Sequence, residues 1–222
     1  MQVVIEDAVR EKFDIRVGIA ELKGLRQNEK ENSEISREIA AVEAELKSKY
    51  EIDEVKDIGT LRWQRDFFWR LGVDPTKVRP ASEALLRRIL LNKGLPRVSA
   101  IVDAYNLASV KTLLTFSAFD IVRIEPPLSV RFSREDEVVT LIGYRKKKLT
   151  GKEIVLTDSA KILCVYVHGD VDVTKVTDST RDVLLVAYGI PGMSKDEIKE
   201  GMSVAAGYIK RFVGGKVVRV DV

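Results

Sequence analysis

Asp103 and Asn106 stand out because they are polar residues within an otherwise apolar helical stretch. The segment that follows Ser99 carries apolar side chains at helical spacing, and the two polar residues lie one turn apart within it. A polar pair at this spacing needs hydrogen-bond partners, or its burial costs stability. The pair therefore makes this helix the first candidate for a functional site.

His168, in the run YVHGD, is the only histidine of the chain. Its imidazole could act as a general base or orient a water near neutral pH. The alternative is a loop histidine without a chemical role. Cys164 is the only cysteine and is expected to be a small buried hydrophobic side chain in a strand. One histidine and one cysteine cannot build a metal cluster, so we expect neither a metal nor a cofactor.

A second polar group lies at the start of the preceding helix, which begins near Pro80. Ser82 and Glu83 occupy its first turn, where they can satisfy backbone N–H groups and interact favourably with the helix dipole. An equally weighted alternative is ligand binding. In that case Glu83 would contact an α-amino group, and Arg79 and Arg87 would contact a phosphate or a carboxylate.

A compact basic run follows a turn in the second half of the chain. Arg145, Lys146, Lys147 and Lys148 are consecutive, and Tyr144 precedes them. The run fits two alternatives equally well, a solvated hairpin tip and a set of phosphate contacts to RNA.

The hydrophobic pattern predicts an α+β fold. Helical periodicity covers residues 33–50, 54–71, the two segments described above, and a last helix from the capping box Ser194–Glu197 to about Val213. Runs rich in β-branched residues predict strands at 15–19, 115–122, 128–132, 138–141, 153–156, 161–167, 183–190 and 216–222. We expect a single compact domain over 1–222, with a mixed or antiparallel sheet flanked by helices. Residues 33–71 could form a separate helical lobe.

The helix at 54–71 is unusually aromatic. Trp63, Phe67 and Trp69 alternate with arginines, a pattern that also occurs where proteins contact single-stranded RNA. The preferred interpretation is that Phe67 and Leu61 belong to the core while the arginines face solvent. An exposed aromatic surface on this helix would instead indicate a protein partner.

Composition bounds the class of protein. The chain has 222 residues, of which 45% are hydrophobic and 32% charged, and its net charge is +3. This mild basicity is below that of a tight DNA binder and is compatible with a transient RNA partner. We find no signal peptide and no run of about 18 apolar residues that could cross a membrane, so we expect a cytoplasmic protein.

Several motifs resemble, in order and spacing, those of the tRNA-editing B3/B4 domain in the β-subunit of bacterial phenylalanyl-tRNA synthetase. VDAYN at 102–106 and SAFD at 117–120 resemble the VDxTNY and HAFD motifs of that domain. Residues 140–143, 155–158 and 175–185 resemble three further motifs, so the resemblance covers roughly 79–189. The run RPASEALLRR at 79–88 resembles the stand-alone members of the family.

The resemblance implies a pocket that holds an aminoacyl-adenosine and orients a water, without an enzyme nucleophile. By position, Asn106 would donate to the ester carbonyl or hold the water. Asp103 and Asp120 match family aspartates and are expected to be structural, with Asp103 also a possible substrate contact. His168 and Gly169 fall where the family has a glycine pair that lines the pocket.

The chain also departs from the family pattern. Ser117 stands where the family has His, Tyr105 where it has the smaller Thr, and Val186 where it has Glu. We take Ser117, Asn106 and His168 as candidate catalytic residues and Tyr105 as a candidate substrate contact.

Three functions remain open. The resemblance favours a tRNA-binding protein that acts in trans as a hydrolase and deacylates mischarged aminoacyl-tRNA. The alternative is a non-catalytic tRNA- or amino-acid-binding module that has lost the hydrolytic groups, and a third possibility is a structural partner acting through the aromatic helix. The sequence leaves the oligomeric state open.

Overall fold

The computed structural model describes residues 1–26 and 33–222. Its strands are β1 (Val3–Ile5), β2 (Arg16–Lys23), β3 (Phe116–Asp120), β4 (Leu128–Phe132), β5 (Glu135–Leu141), β6 (Arg145–Thr150), β7 (Ile154–Thr157), β8 (Ile162–Val165), β9 (Gly169–Asp170), β10 (Val183–Gly189) and β11 (Lys216–Asp221). Its α-helices are α1 (Asp7–Arg10), α2 (Ser33–Lys49), α3 (Gly59–Arg70), α4 (Ala81–Leu90), α5 (Ala100–Thr112) and α6 (Lys195–Val213).

The strands form two larger sheets and a hairpin. The first sheet has the order β1-β4-β7-β8-β9, and the second has the order β11-β2-β10-β3. β1 and β4 pair in parallel, whereas the other neighbours pair antiparallel. β5 and β6 form a separate antiparallel hairpin. The expected α+β fold with mixed and antiparallel sheets is confirmed.

Helix α6 packs on the second sheet, and its start is fixed by local chemistry. The hydroxyl of Ser194 accepts from the N–H of Glu197, and the Glu197 carboxylate accepts from the N–H of Ser194, which is the capping box expected from the sequence. A β-carbon at Gly189 of β10 would overlap the side chain of Ile198. The absence of a side chain at Gly189 therefore lets the helix approach the sheet closely.

Buried apolar side chains of both larger sheets and of helices α2 to α6 belong to one contiguous hydrophobic core. A second, smaller cluster lies under the β5–β6 hairpin and includes Leu141, Leu149, Val165 and Val171. Within the described ranges, no helix is both long enough and apolar enough to span a bilayer.

Two elements differ from their expected form. The helix expected at 54–71 is divided into a 3-10 turn at Val55–Asp57 and helix α3, because Ile58 between them is extended. The basic run at 145–148, interpreted as a hairpin tip or an RNA contact, begins strand β6, and the turn lies before it at Gly143 and Tyr144. Their positive φ angles of 86° and 59° allow the tight reversal of the chain.

Candidate functional site

A cavity of about 350 Å³ opens where the two larger sheets meet. Its size is in the range of small-molecule sites. The cavity is lined by residues of both sheets, by the turn between β8 and β9, and by helices α3 and α5. Phe67, Phe68, Phe116 and Ile190 supply much of the apolar wall. We call this cavity the inter-sheet pocket.

Six of the candidate site residues that the sequence predicted line the inter-sheet pocket. Two come from α5, one from β3, two from the β8–β9 segment and one from the loop before α4: Tyr105, Asn106, Ser117, His168, Gly169 and Arg79. The structure thus brings together side chains that are up to 90 positions apart in the sequence.

Ser117 and Asp170 form a polar pair in this pocket. The Ser117 Oγ donates to Asp170 Oδ1 over 2.7 Å, which joins β3 of one sheet to β9 of the other. Burial raises the pKa of the Asp170 carboxyl from 3.8 to about 6, although the hydrogen bond from Ser117 acts in the opposite direction. The pKa of Asp170 therefore lies close enough to neutral pH for the carboxylate to accept and release a proton there.

Cys164 is paired with Asp170 in the β8–β9 register and also lines the pocket. Burial, followed by the negative charge of Asp170, raises the pKa of the thiol well above its usual value. The thiol is thus protonated at neutral pH and acts as a small buried side chain, as the sequence predicted, rather than as a nucleophile.

Tyr166 and Tyr188 place two hydroxyl groups in the pocket. Their rings meet edge to face with centroids 4.9 Å apart, one from the end of β8 and the other from β10. Both side chains are buried, and the Tyr166 hydroxyl has no hydrogen-bond partner within the described chain, whereas the Tyr188 hydroxyl interacts with the side chains of Cys164 and Ser117. Buried polar groups are almost always paired, and an unpaired one is costly. The unpaired hydroxyl of Tyr166 is therefore a group that a polar ligand could satisfy.

Further polar groups in the pocket are also without protein partners. The side chains of Asn106, His168 and Arg79 form no hydrogen bond or ion pair within the part of the chain that the structure describes. Burial lowers the pKa of His168, and the positive charge of Lys147 adds to this effect, so the imidazole is neutral at neutral pH. These three side chains are available to a ligand.

The turn that presents His168 is strained. Val167 has a φ of 60°, in the left-handed region that β-branched residues rarely adopt. The backbone N–H of His168 donates to Val165 O over 3.0 Å and closes the turn. Strained residues of this kind are concentrated at functional sites, where the surrounding structure holds them in place.

Three of the candidate substrate contacts lie outside the pocket, in a buried network between α3 and α4. The Glu83 carboxylate accepts from Arg65 Nη1 at 3.0 and 3.1 Å and from Arg87 Nε at 2.8 Å. Ser82 donates to Gln64 Oε1 over 3.0 Å instead of capping its helix. The contacts of Ser82, Glu83 and Arg87 are those of a structural role, and a free α-amino group or phosphate would have to displace them.

Asp103 is also outside the pocket. Its carboxylate accepts from Arg97 Nε over 2.7 Å and from the N–H of Val98 over 2.8 Å, so it fixes the turn that leads into α5. Asp120 accepts from the hydroxyl of Thr180 over 2.7 Å and from the N–H of Val122 over 3.2 Å. Both carboxylates have the contacts of structural residues.

The comparison with known proteins gives the chain a family. A profile of the B3/4 domain matches residues 64–213, which is more than half of the sequence. The chain belongs to the B3/4 domain family. The matched segment includes the pocket residues that come from both sheets. Ser117 and Tyr188 belong to the second sheet, and Tyr166 and Asp170 come from the β8–β9 part of the first. The resemblance found in the sequence motifs is thereby confirmed.

Curated relatives of this B3/4 protein are phenylalanine–tRNA ligase β-subunits. The chain is 26% identical to that of Francisella tularensis over 152 residues, which are 58% of this chain and 19% of the relative. It is 30% identical to that of Xanthomonas euvesicatoria over 115 residues, which are 51% of this chain and 14% of the relative. The chain therefore spans less than a fifth of the length of these relatives.

A solved structure shows the same fold. An N-terminal fragment of the phenylalanyl-tRNA synthetase β-subunit from Pyrococcus horikoshii superimposes with a TM-score of 0.52 at 14% identity. The match covers 97% of this chain and 50% of the other. At this identity the likeness concerns the fold of the B3/4 protein and not its chemistry.

Sequence reasoning missed three polar residues that line the pocket, namely Asp170, Tyr166 and Tyr188. The sequence contained one signal for the first of them, since Asp170 follows the only histidine by two residues. Nothing local distinguishes Tyr166 and Tyr188 from ordinary strand tyrosines. They become notable only because two strands from different sheets bring their rings together.

Proposed function

We propose that this B3/4 protein binds the aminoacylated 3′ end of a tRNA and hydrolyses the ester, releasing the amino acid from mischarged tRNA. The observation that carries the proposal is a pocket of amino-acid size around the Ser117–Asp170 pair, in which several polar side chains have no partner among the described residues. Membership of the family and the match to tRNA ligase subunits support tRNA as the partner.

The proposed reaction needs a base, an oriented water and a donor to the carbonyl. Asp170, with a pKa of about 6, is mostly ionised at neutral pH and accepts a proton from the attacking water. The hydroxyl of Ser117 holds the carboxylate in place. The amide of Asn106 donates to the ester carbonyl, where negative charge develops in the transition state.

In this scheme, the water oxygen forms a bond to the carbonyl carbon and its proton moves to Asp170. The bond between that carbon and the ribose oxygen then breaks, and the ribose oxygen takes the proton from Asp170, which returns to its ionised form. The products are a free amino acid and a tRNA with a free terminal hydroxyl. In this proposal His168, which is neutral and lines the pocket, hydrogen-bonds the water or the ribose.

The alternative function is binding without hydrolysis. It is favoured by Ser117, which stands where the family motif has His and whose hydroxyl already donates to Asp170. In that case the pocket would hold the aminoacyl end of a tRNA and release it unchanged.

A panel of aminoacyl-tRNAs, correct and mischarged and labelled in the amino acid, tests the proposal. We expect release from at least one mischarged species, and loss of that release in Asn106→Ala. Lys111→Ala is the control, because Lys111 lies on the same helix but contacts Tyr208 outside the pocket. Binding of tRNA without release from any species would establish the alternative.

A further inference from the structure

In the β5–β6 hairpin, the side chains of the basic run at 145–148 alternate between the two faces of the hairpin. Arg145 pairs with Leu141, and Lys147 pairs with Val139. Cross-strand partners share a face of the hairpin. Leu141 and Val139 are both buried in the small cluster under the hairpin. The side chains of Arg145 and Lys147 therefore stand on the face turned towards the body of the protein.

The other two residues of the run stand on the opposite face. Lys148 pairs with Val138, which is 63% exposed, and its ammonium group pairs with the carboxylate of Asp136 at 2.7 Å. Lys146 alternates with its neighbours and shares the face of Lys148. The run is thus two pairs of cations that face different directions.

The inward face of the hairpin adjoins the inter-sheet pocket. The N–H of Ile142 donates to Asp170 O over 2.9 Å, and Leu141 forms a bridge with Val171. Arg145, opposite Leu141, is consequently placed beside the β9 segment that carries Gly169 and Asp170. The positive charges of Lys147 and Arg145 also contribute to the lowered pKa of His168, which agrees with their position near that imidazole.

Arg145 and Arg79 differ from other arginines around the site in having no ion-pair partner within the described ranges. By contrast, Arg65 and Arg87 pair with Glu83. Lys147 lies 3.9 Å from Glu153 and is only partly neutralised. Unpaired guanidinium groups at the edge of a pocket are suited to phosphate oxygens.

We infer that Arg145, Lys147 and Arg79 form a phosphate-binding rim that holds the 5′-phosphate of the terminal nucleotide while its aminoacyl group occupies the inter-sheet pocket. This inference rests on the proposed function and adds a second point of attachment to it. The rim contacts the phosphate and not the reacting ester. Its contact therefore sets how far the nucleotide enters the pocket. Lys146 and Lys148 lie on the far face and take no part.

The test uses amide-linked, non-hydrolysable analogues of aminoacyl-adenosine, one for each standard amino acid, each with and without a 5′-phosphate. We expect the phosphate to tighten the dissociation constant of the bound analogue by roughly tenfold, as for a charge-assisted contact. Arg145→Gln should remove most of this gain and leave binding of the analogue without phosphate unchanged. Lys146→Gln, its neighbour on the other face, should keep the gain.

Equal affinity of the two forms of the analogue for the wild-type protein would overturn the rim while leaving the proposed function intact. Equal losses in Arg145→Gln and Lys146→Gln would also overturn it, since they would show a general effect of positive charge. If no analogue bound in either form, both the proposed function and the rim would be rejected.

Discussion

Asp170 lies in a position where its ionisation opposes folding. Its pKa is raised from 3.8 to about 6 by burial, so between these values the folded protein binds more protons than the unfolded chain. The free energy of unfolding therefore falls as the pH rises through this window. The Asp170 side chain stabilises the folded protein most when it is protonated. It stabilises the fold least at the pH values at which it would act as a base.

This opposition gives a prediction for Asp170→Asn. The amide keeps an acceptor for Ser117 but removes the charge, so the variant should be more stable than the wild type at neutral pH, by up to about 3 kcal/mol. Urea unfolding at about pH 5 and about pH 7.5 measures the difference, which should be larger at the higher pH. If Asp170→Asn differed from the wild type by the same free energy of unfolding at both pH values, Asp170 would not change its ionisation between them, and the raised pKa would be contradicted.

Among the residues that the structure describes, the buried hydroxyl of Tyr166 has no hydrogen-bond partner, whereas that of Tyr208 accepts from Lys111 and donates to Glu38. Tyr166→Phe should therefore raise the free energy of unfolding by roughly 1 kcal/mol, and Tyr208→Phe should lower it by a similar amount. Tyr166→Phe should also weaken the binding of an amide-linked aminoacyl-adenosine analogue. Equal destabilisation by both variants would show that the Tyr166 hydroxyl is already satisfied in the free protein.

At this scale the sequence predicts only part of the site. Asn106 could be found because a polar side chain on an apolar helix is unusual over a few residues. Tyr166 and Asp170 could not, because their significance depends on burial and on partners from the other sheet. For Glu83 the sequence left two roles open, because one of its arginine partners, Arg65, lies 18 positions away on another helix and could not be identified from the local pattern.

Among the elements, α3 and α4 are joined by the buried carboxylate of Glu83. Removing it would leave Arg65 and Arg87 partly buried without a counter-ion. We expect Glu83→Ala to lower the free energy of unfolding by about 3–5 kcal/mol. Lys148→Ala, which removes an exposed pair, should change it by less than about 1 kcal/mol.

The same variant separates the two interpretations of Glu83. If the residue is structural, the folded fraction of Glu83→Ala should bind the aminoacyl-adenosine analogue with the affinity of the wild type. Little loss of stability combined with a large loss of affinity would assign Glu83 to the ligand.

Elements whose pattern is strong in a short window are the ones that the sequence predicts well. The capping box at Ser194 and the apolar run at 128–132 fix α6 and β4, which lie where they were expected. Strand β6 was not predicted, because consecutive basic residues show no alternation. Its extended form is imposed by pairing with β5.

For the whole molecule, the decisive feature is the meeting of the two larger sheets. Ser117 and Asp170, which the central claim requires, come from different sheets and are 53 positions apart. Local periodicity predicts the strands of each sheet but not how one sheet lies against the other. The family motifs supplied the fold, and the structure was needed to find the carboxylate.

The central claim is that Asp170 is the base that activates water in the inter-sheet pocket. The most direct test is the single-turnover rate constant for deacylation of a mischarged tRNA as a function of pH, for the wild type and Asp170→Asn. We expect the wild-type rate to rise through about pH 6 and then level off. The variant should be slower by at least about a hundredfold and show no such inflection. A variant as fast as the wild type, with the same dependence on pH, would contradict the claim.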